Sequence, residues 1–317
     1  MPQAASLRAL LARSIDYAGM FPPCSLELEP ALKNQAEYVR SPDSWMLSAF
    51  VLPIGKFTDG AKFVSRFDHH HQLRVSALGG KTENANDFLN EVKEAAESIR
   101  SLQKEHGDKV AVVQLEMFLP ADVDLAGLNQ SASGIGDLKL QSFWETPAES
   151  AEQTIALLAR AKQPAFGYKL RTGGVTADAF PNSVQIARAI LASTKHHVPI
   201  KFTAGLHHPI RQFRDEVKTE MHGFLNVLGA GVLSAEHHWD EAQTIEMLED
   251  QRAQSFEFHD TVFAWRDWEV TIDRIKARRK FVTSFGSCSF DEPREDLSAL
   301  ADIFNHHEER EDLAEDE

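Results

Sequence analysis

Phe166-Gly-Tyr-Lys-Leu-Arg171 and Ile200-Lys-Phe-Thr-Ala-Gly205 are two short β-like runs, separated by a single helix-length segment. Successive side chains of a strand point to opposite faces. Tyr168 and Leu170 therefore share one face, while Gly167, Lys169 and Arg171 share the other. In the second run Ile200, Phe202 and Ala204 lie opposite Lys201, Thr203 and Gly205. Two neighbouring strands that each aim a lysine away from their apolar face need partners for those charges, because Lys is almost never buried alone. A strand, a helix and a second strand of this kind form a βαβ unit, whose strands are parallel.

The same alternation extends outward in both directions. Upstream, strand-like runs fall at Ser14–Tyr17, Trp45–Leu52, Leu73–Gly80, Val110–Phe118 and Leu140–Glu145. Helical patterns lie between them at Leu26–Val39, Lys56–His71, Asn84–His106 and Ser150–Lys162. Asn84–His106 is the clearest, with Phe88, Leu89, Val92, Ala95, Ala96, Ile99 and Leu102 near a 3.6-residue period. Downstream, Ala177–His196 is helical and Met221-His-Gly-Phe-Leu-Asn-Val227 supplies an eighth strand. Eight strands alternating with helices predict an α/β fold, a (β/α)8 TIM barrel, with a doubly wound open sheet as the alternative. The expected organisation is a barrel over 1–235 and a C-terminal extension packed on it over 236–304. An acidic, solvated tail over 305–317 completes the chain. In the extension, Phe256–Trp265 reads as a hairpin or irregular run, Trp268–Arg279 as helical, and Phe281–Pro293 as an ordered stretch over one barrel end.

Composition narrows the function classes. The chain has 317 residues, 43% hydrophobic and 26% charged, the proportions of a soluble globular protein. A net charge of -15 with no basic stretch argues against nucleic acid. No apolar run approaches membrane-helix length, and the N-terminus lacks a signal-peptide pattern, so no membrane partner and a cytoplasmic location are expected. Cys24 and Cys288 are too few for a disulfide framework and read as buried small hydrophobes. Ser287 and Ser289 lack a nucleophile-elbow context.

Active sites of such barrels lie at the C-terminal ends of the strands. Collecting polar residues there gives Asp16, Glu116, Glu145, Lys169, Arg171, Thr172, Lys201, Thr203, His207, His208 and Asn226. The parity of the fourth strand places Gln114 and Glu116 together, opposite Val113, Leu115 and Met117. Two close ammonium groups repel, and burial disfavours their charge further. One of Lys169 and Lys201 can then attack a carbonyl as a free amine, with Glu116 or Asp16 shuttling protons. The other readings of the pair are ligands for an anionic substrate and a structural set of salt bridges. Gly173, Gly174 and Gly205 either expose backbone N–H groups to an anion or make tight turns, and the Arg171 fork adds weight to an anion.

At these residues the chain resembles deoxyribose-phosphate aldolase and related Schiff-base aldolases. The likeness implies a barrel whose imine-forming lysine on the sixth strand is Lys169 and whose neighbouring lysine on the seventh is Lys201. It spans some forty residues. Leu170-Arg171 stands where the family carries Thr-Ser, and Glu116 where it has an aspartate on the fourth strand. The whole chain also resembles bacterial proteins of unassigned function that carry stretches similar to Ile15-Asp-Tyr-Ala-Gly19 and Gly205-Leu-His-His-Pro209, a likeness that conveys no chemistry. The expected partner is thus a small-molecule anionic substrate, with no cofactor. The alternative is a divalent metal held by Asp16, Glu116, Glu145, His207 and His208, serving a hydrolase, lyase or isomerase. A non-catalytic barrel binding a small anion is the third reading.

Overall fold

A computed structural model describes residues 4–161, 166–300 and 303–304. The segment 305–317, expected as an acidic tail, lies outside the described residues, as does Lys162. Strands β1 (Ile15–Tyr17), β2 (Leu47–Pro53), β3 (Leu73–Leu78), β4 (Val110–Phe118), β5 (Gln141–Glu145), β6 (Gly167–Arg171) and β7 (Ile200–Thr203) follow one another around a cylinder. Before and between them lie helices α1 (Ala5–Leu11), α2 (Leu28–Tyr38), α3 (Phe57–Ala61), α4 (Ala85–His106), α5 (Leu125–Ile135), α6 (Ala151–Leu158) and α7 (Ser183–His196).

Local sequence explains the best-formed of these elements. The Asn84 side chain accepts from the Asp87 N–H and caps α4, which buries Phe88, Val92, Ala95, Ala96, Ile99 and Leu102 along one face. Asn182 and Gln185 form a reciprocal capping box at the start of α7, and His197 closes that helix in the left-handed region. Lys56–His71 is not the long helix its pattern predicts. It breaks into α3 and a single 3₁₀ turn on either side of it.

The eighth barrel strand is not Met221–Val227. After β7 the chain forms a hairpin, β8 (Gln212–Arg214) and β9 (Thr219–Met221), and then helix α8 (Phe224–His237). That helix is buried almost all round, so its continuous apolar run mimics a covered strand. Gly229 and Gly231 let Met247, Phe263 and Val282 press against it. Next come α9 (Glu241–Glu249), a three-stranded antiparallel sheet of β10 (Phe256–Phe258), β11 (Val262–Trp265) and β12 (Trp268–Thr271), and α10 (Ile272–Arg278). Trp268–Arg279 is thus half strand and half helix.

Only then does β13 (Val282–Ser287) enter between β7 and β1, giving the closed order β1-β13-β7-β6-β5-β4-β3-β2. The Ile200 N–H donates to Phe281 O at 2.7 Å, the Phe285 N–H to Ser14 O at 2.7 Å, and the Ala18 N–H to Ser287 O at 2.7 Å. All eight barrel strands are parallel, so the chain is a (β/α)8 barrel. Its last strand comes from the stretch read as an extension. The barrel therefore runs well past residue 235, and what was expected beside it is a long insertion inside its final crossover. Helix α11 (Asp291–Ala299) follows directly. No helix among the described residues is long and apolar enough to cross a membrane.

Candidate active site

Alternation along β6 and β7 sends Tyr168, Leu170, Ile200 and Phe202 outward into the helical layer and turns both lysines into the barrel. Lys169 and Lys201 are register partners, and Glu145 on β5 is in turn the partner of Lys169. On β4, Gln114 and Glu116 face the same interior.

These side chains form one chain of alternating charge. Glu145 Oε2 lies 2.9 Å from Lys169 Nζ, and Lys169 Nζ lies 2.8 Å from Glu116 Oε2. The other Glu116 oxygen is 2.5 Å from Lys201 Nζ, which also reaches Asp16 Oδ2 at 2.7 Å and Gln114 Oε1 at 2.6 Å. Hydroxyls complete the set. Ser76 Oγ donates to Glu116 at 2.5 Å, and Ser284 Oγ donates to Asp16 at 2.6 Å. Asp16 is 0% exposed, Lys201 1%, Glu116 2% and Lys169 6%, so the network descends from the mouth into the closed core. Asp16 therefore sits deep in the barrel, not at the mouth as its loop-edge position suggested.

The electrostatics follow from this order. Burial alone would push the Lys169 ammonium down, yet Glu116 and Glu145 overrule it and hold its pKa above the ordinary lysine value. Burial would likewise raise Glu116, but Lys169 and Lys201 together hold its carboxyl well below the usual carboxylate range. The expectation that Lys201 lowers the pKa of Lys169 by repulsion is overturned. Glu116 stands between the two ammonium groups and attracts both.

Above the network opens a cavity of about 230 Å³. Lys169 and Glu116 form part of its floor, Arg171, Gly174, Thr203, Gly205 and His207 one wall, and Ala18, Phe21, Pro22, Pro23 and Cys288 the other. Arg171 is exposed at the rim. The loops after β6 and β7 touch through their backbones. Gly205 has φ +75°, and a Cβ there would lie 2.8 Å from Gly173 Cα, so both positions need glycine for close approach. The Thr172 hydroxyl donates to Ala204 O at 2.6 Å and ties the loops together.

His207 stays at the cavity wall, but His208 and Asn226 lie elsewhere. His208 faces away from the cavity, with Nδ1 2.5 Å from Asp296 Oδ2 on α11. His207 Nδ1 is 2.9 Å from Glu292 Oε2, and this bond holds the Glu292 carboxyl below its ordinary range. Among the described residues no three His, Cys, Asp or Glu side chains converge as a set able to hold a metal ion. The carboxylates of the five-residue donor set instead carry lysines, and its histidines face α11. Asn226 is no site residue. It lies in α8, where Oδ1 accepts from the Arg211 N–H and Nδ2 donates to Met247 O and Asp250 O. Asn226→Leu should therefore destabilise the fold by about 2–4 kcal/mol, because three backbone groups lose their partner. Denaturant unfolding measures this, and ligand binding at the cavity should persist in the folded fraction.

Ser76, Ser284 and Gly286 were not legible as site residues. Ser284 and Gly286 belong to β13, whose register slips between Val282 and Phe285, so that Val282 and Phe285 both pack on α8 and only the alternation from Ser284 onward puts these two on the barrel side. Cys24 also departs from expectation, being exposed and not buried.

No family model matches the sequence, and no curated protein does. Among solved structures, this chain is similar to D-psicose 3-epimerase determined in the presence of D-fructose. The match has 8% sequence identity and a TM-score of 0.47, over 92% of this chain and 99% of that one. The barrel assignment rests on the closed strand order itself.

Proposed function

We propose that this barrel is an enzyme that takes a small, anionic, carbonyl-bearing metabolite into the cavity above β6 and β7, where Lys169 forms an imine with the carbonyl carbon. The observation that carries this reading is the division of labour between the two lysines. Lys169 borders the cavity, whereas Lys201 is enclosed beneath it by Asp16, Glu116 and Gln114. Arg171 at the rim supplies a bidentate site for a carboxylate or phosphate.

A raised lysine pKa is compatible with this chemistry because the overall step conserves charge. An ammonium and a carbonyl become an iminium and water, so Glu116 and Glu145 stabilise product as they stabilise reactant. The cost lies in the transient neutral amine. Glu145, 2.9 Å away and partly exposed, is the natural acceptor for that proton, since Glu116 is held acidic by two lysines. Lys169 then attacks, Glu145 returns the proton to the carbinolamine oxygen, a second proton passes from the lysine nitrogen to the same oxygen, and water leaves with the iminium behind it. Because the proton moves within the pair, the reactive form has the same total protonation as the resting form. The rate of imine formation should therefore be nearly flat from about pH 6 to about pH 9. An amine deprotonated by solvent would gain about tenfold per pH unit over that range.

Cyanoborohydride trapping with a panel of small aldehydes and keto acids, read by intact mass and peptide mapping, tests the assignment. The expected adduct maps to Lys169 and disappears in Lys169→Ala. An adduct that survives that substitution, or none across the panel, overturns it. The same experiment addresses a second reading, favoured by the firmly held Lys169 ammonium, in which the cavity binds a carboxylate or phosphate without covalent chemistry. That reading expects no adduct, but a ligand-induced thermal shift that is lost in Arg171→Ala.

A further inference from the structure

The loop after β1 carries Cys24 to the lip of the cavity, opposite the end of β13, where Cys288 lines the cavity wall. The Cys24 thiol donates to the Cys288 sulfur at 3.0 Å, about 1 Å beyond a covalent S–S bond. The Cys24 backbone N–H also points at that sulfur, so the loop presents two groups to Cys288. The loop is held in place independently, with the Ala18 N–H bonded to Ser287 O and the Leu26 N–H to Gly19 O. Neither sulfur belongs to the lysine–carboxylate network. Their environments differ: Cys24 is exposed, while Cys288 is buried. An exposed thiol backed by a second sulfur at contact distance is the arrangement of an entry thiol and its resolving partner.

We propose that Cys24 and Cys288 are a reversible redox modification site, oxidised by a low-molecular-weight disulfide to an intramolecular bond that joins the loops after the first and last barrel strands on one side of the cavity lip. The Cys24 thiolate attacks one sulfur of the small disulfide and expels one small thiol, leaving a mixed disulfide on Cys24. The Cys288 sulfur, giving up its proton, then attacks Cys24 and expels the second small thiol. Two protein thiols are oxidised by two electrons, and one small disulfide is reduced to two thiols, which take up the two protons. Burial pushes the Cys288 thiol up to about 12 in the reduced protein. The 3.0 Å separation supplies a high effective concentration for resolution.

The test incubates the reduced full-length chain with oxidised glutathione and follows intact mass, free-thiol count and a non-reducing peptide map. The expected result is a loss of about 2 Da, both thiols consumed, a Cys24–Cys288 linked peptide, and full reversal by dithiothreitol. Joining positions 264 residues apart should raise Tm by roughly 5–10 °C. Cys288→Ser should instead accumulate a stable glutathione adduct on Cys24. Cys24→Ser should slow labelling of the remaining thiol by about tenfold or more relative to Cys24 in Cys288→Ser. A persistent adduct on Cys24 in the unsubstituted chain, an intermolecular disulfide as the main product, or equal labelling of the two single-cysteine variants would overturn the proposal.

Discussion

Lys201→Met is expected to destabilise the fold by about 3–5 kcal/mol, the cost of removing one partner from a buried ion pair. Lys201 is 1% exposed and serves three acceptors, Asp16, Glu116 and Gln114. Methionine replaces the volume of the aliphatic stem, so cavity formation contributes little. What remains is Asp16 without its cation in a closed core, near a Glu116 that keeps only Lys169. They can relieve this only by taking up a proton, which raises their joint affinity for protons above that of the unfolded chain. The variant should consequently gain stability as pH falls from about 8 to about 5, the opposite of a native carboxylate held acidic by lysine. Thermal melts at both pH values provide the measurement, with a Tm deficit of roughly 5–10 °C at the higher pH. A variant as stable as the parent at both would show that the network is not a closed ionic unit.

Glu116→Gln should have the largest chemical effect. In the native protein Glu116 is the shared counterion, and it holds the Lys169 pKa up even though burial pushes it down. Glutamine keeps the shape and some hydrogen bonding but removes the charge. Lys169 then retains only Glu145, and the repulsion from Lys201 acts without an intervening carboxylate. Its ammonium should lose its proton more readily, and trapping of a small aldehyde at neutral pH should rise by about tenfold or more. The pH profile should also change character, climbing with pH and levelling once the amine is free. Trapping that vanishes would mean that Glu116 itself carries the proton and would reassign the role given to Glu145, whereas a profile that stays flat would mean that Glu116 is not what holds the Lys169 ammonium. The substitution should also lower Tm, because both lysines lose a buried partner.

The native cluster has its own pH window. The Glu116 pKa is depressed, so its contribution to stability is present above the unfolded carboxylate value near pH ~4.3 and fades as pH falls through the folded value. The Lys169 pKa is raised, so its contribution is present below the unfolded lysine value near pH ~10.4 and is lost as pH rises through the folded value. Between these limits the network should add a nearly constant increment.

The two lysines were legible because alternation is a property of the local backbone. Any extended strand turns Lys169 and Lys201 to the side opposite Tyr168, Leu170, Ile200 and Phe202, whatever surrounds it, and the same parity on β4 put Glu116 on the facing side. The sign of the resulting pKa shift was not legible. It depends on Glu116 lying between the ammonium groups, and two residues on neighbouring strands do not reveal what a third strand inserts between them.

Closure of the barrel was equally a tertiary matter. Met221–Val227 reads as the eighth strand, yet Phe224 onward is a helix buried against Met247, Phe263 and Val282. The true eighth strand lies beyond a long insertion, so the two ends of the barrel are joined by contacts between residues far apart in the chain, such as Phe285 with Ser14. The same closure brings Ser284 to Asp16 and Cys288 to Cys24. Sequence alone thus determined which side chains each strand turns inward, because that follows from a two-residue period. The tertiary structure decided which of them meet, because register and closure are set by the packing of the whole ring.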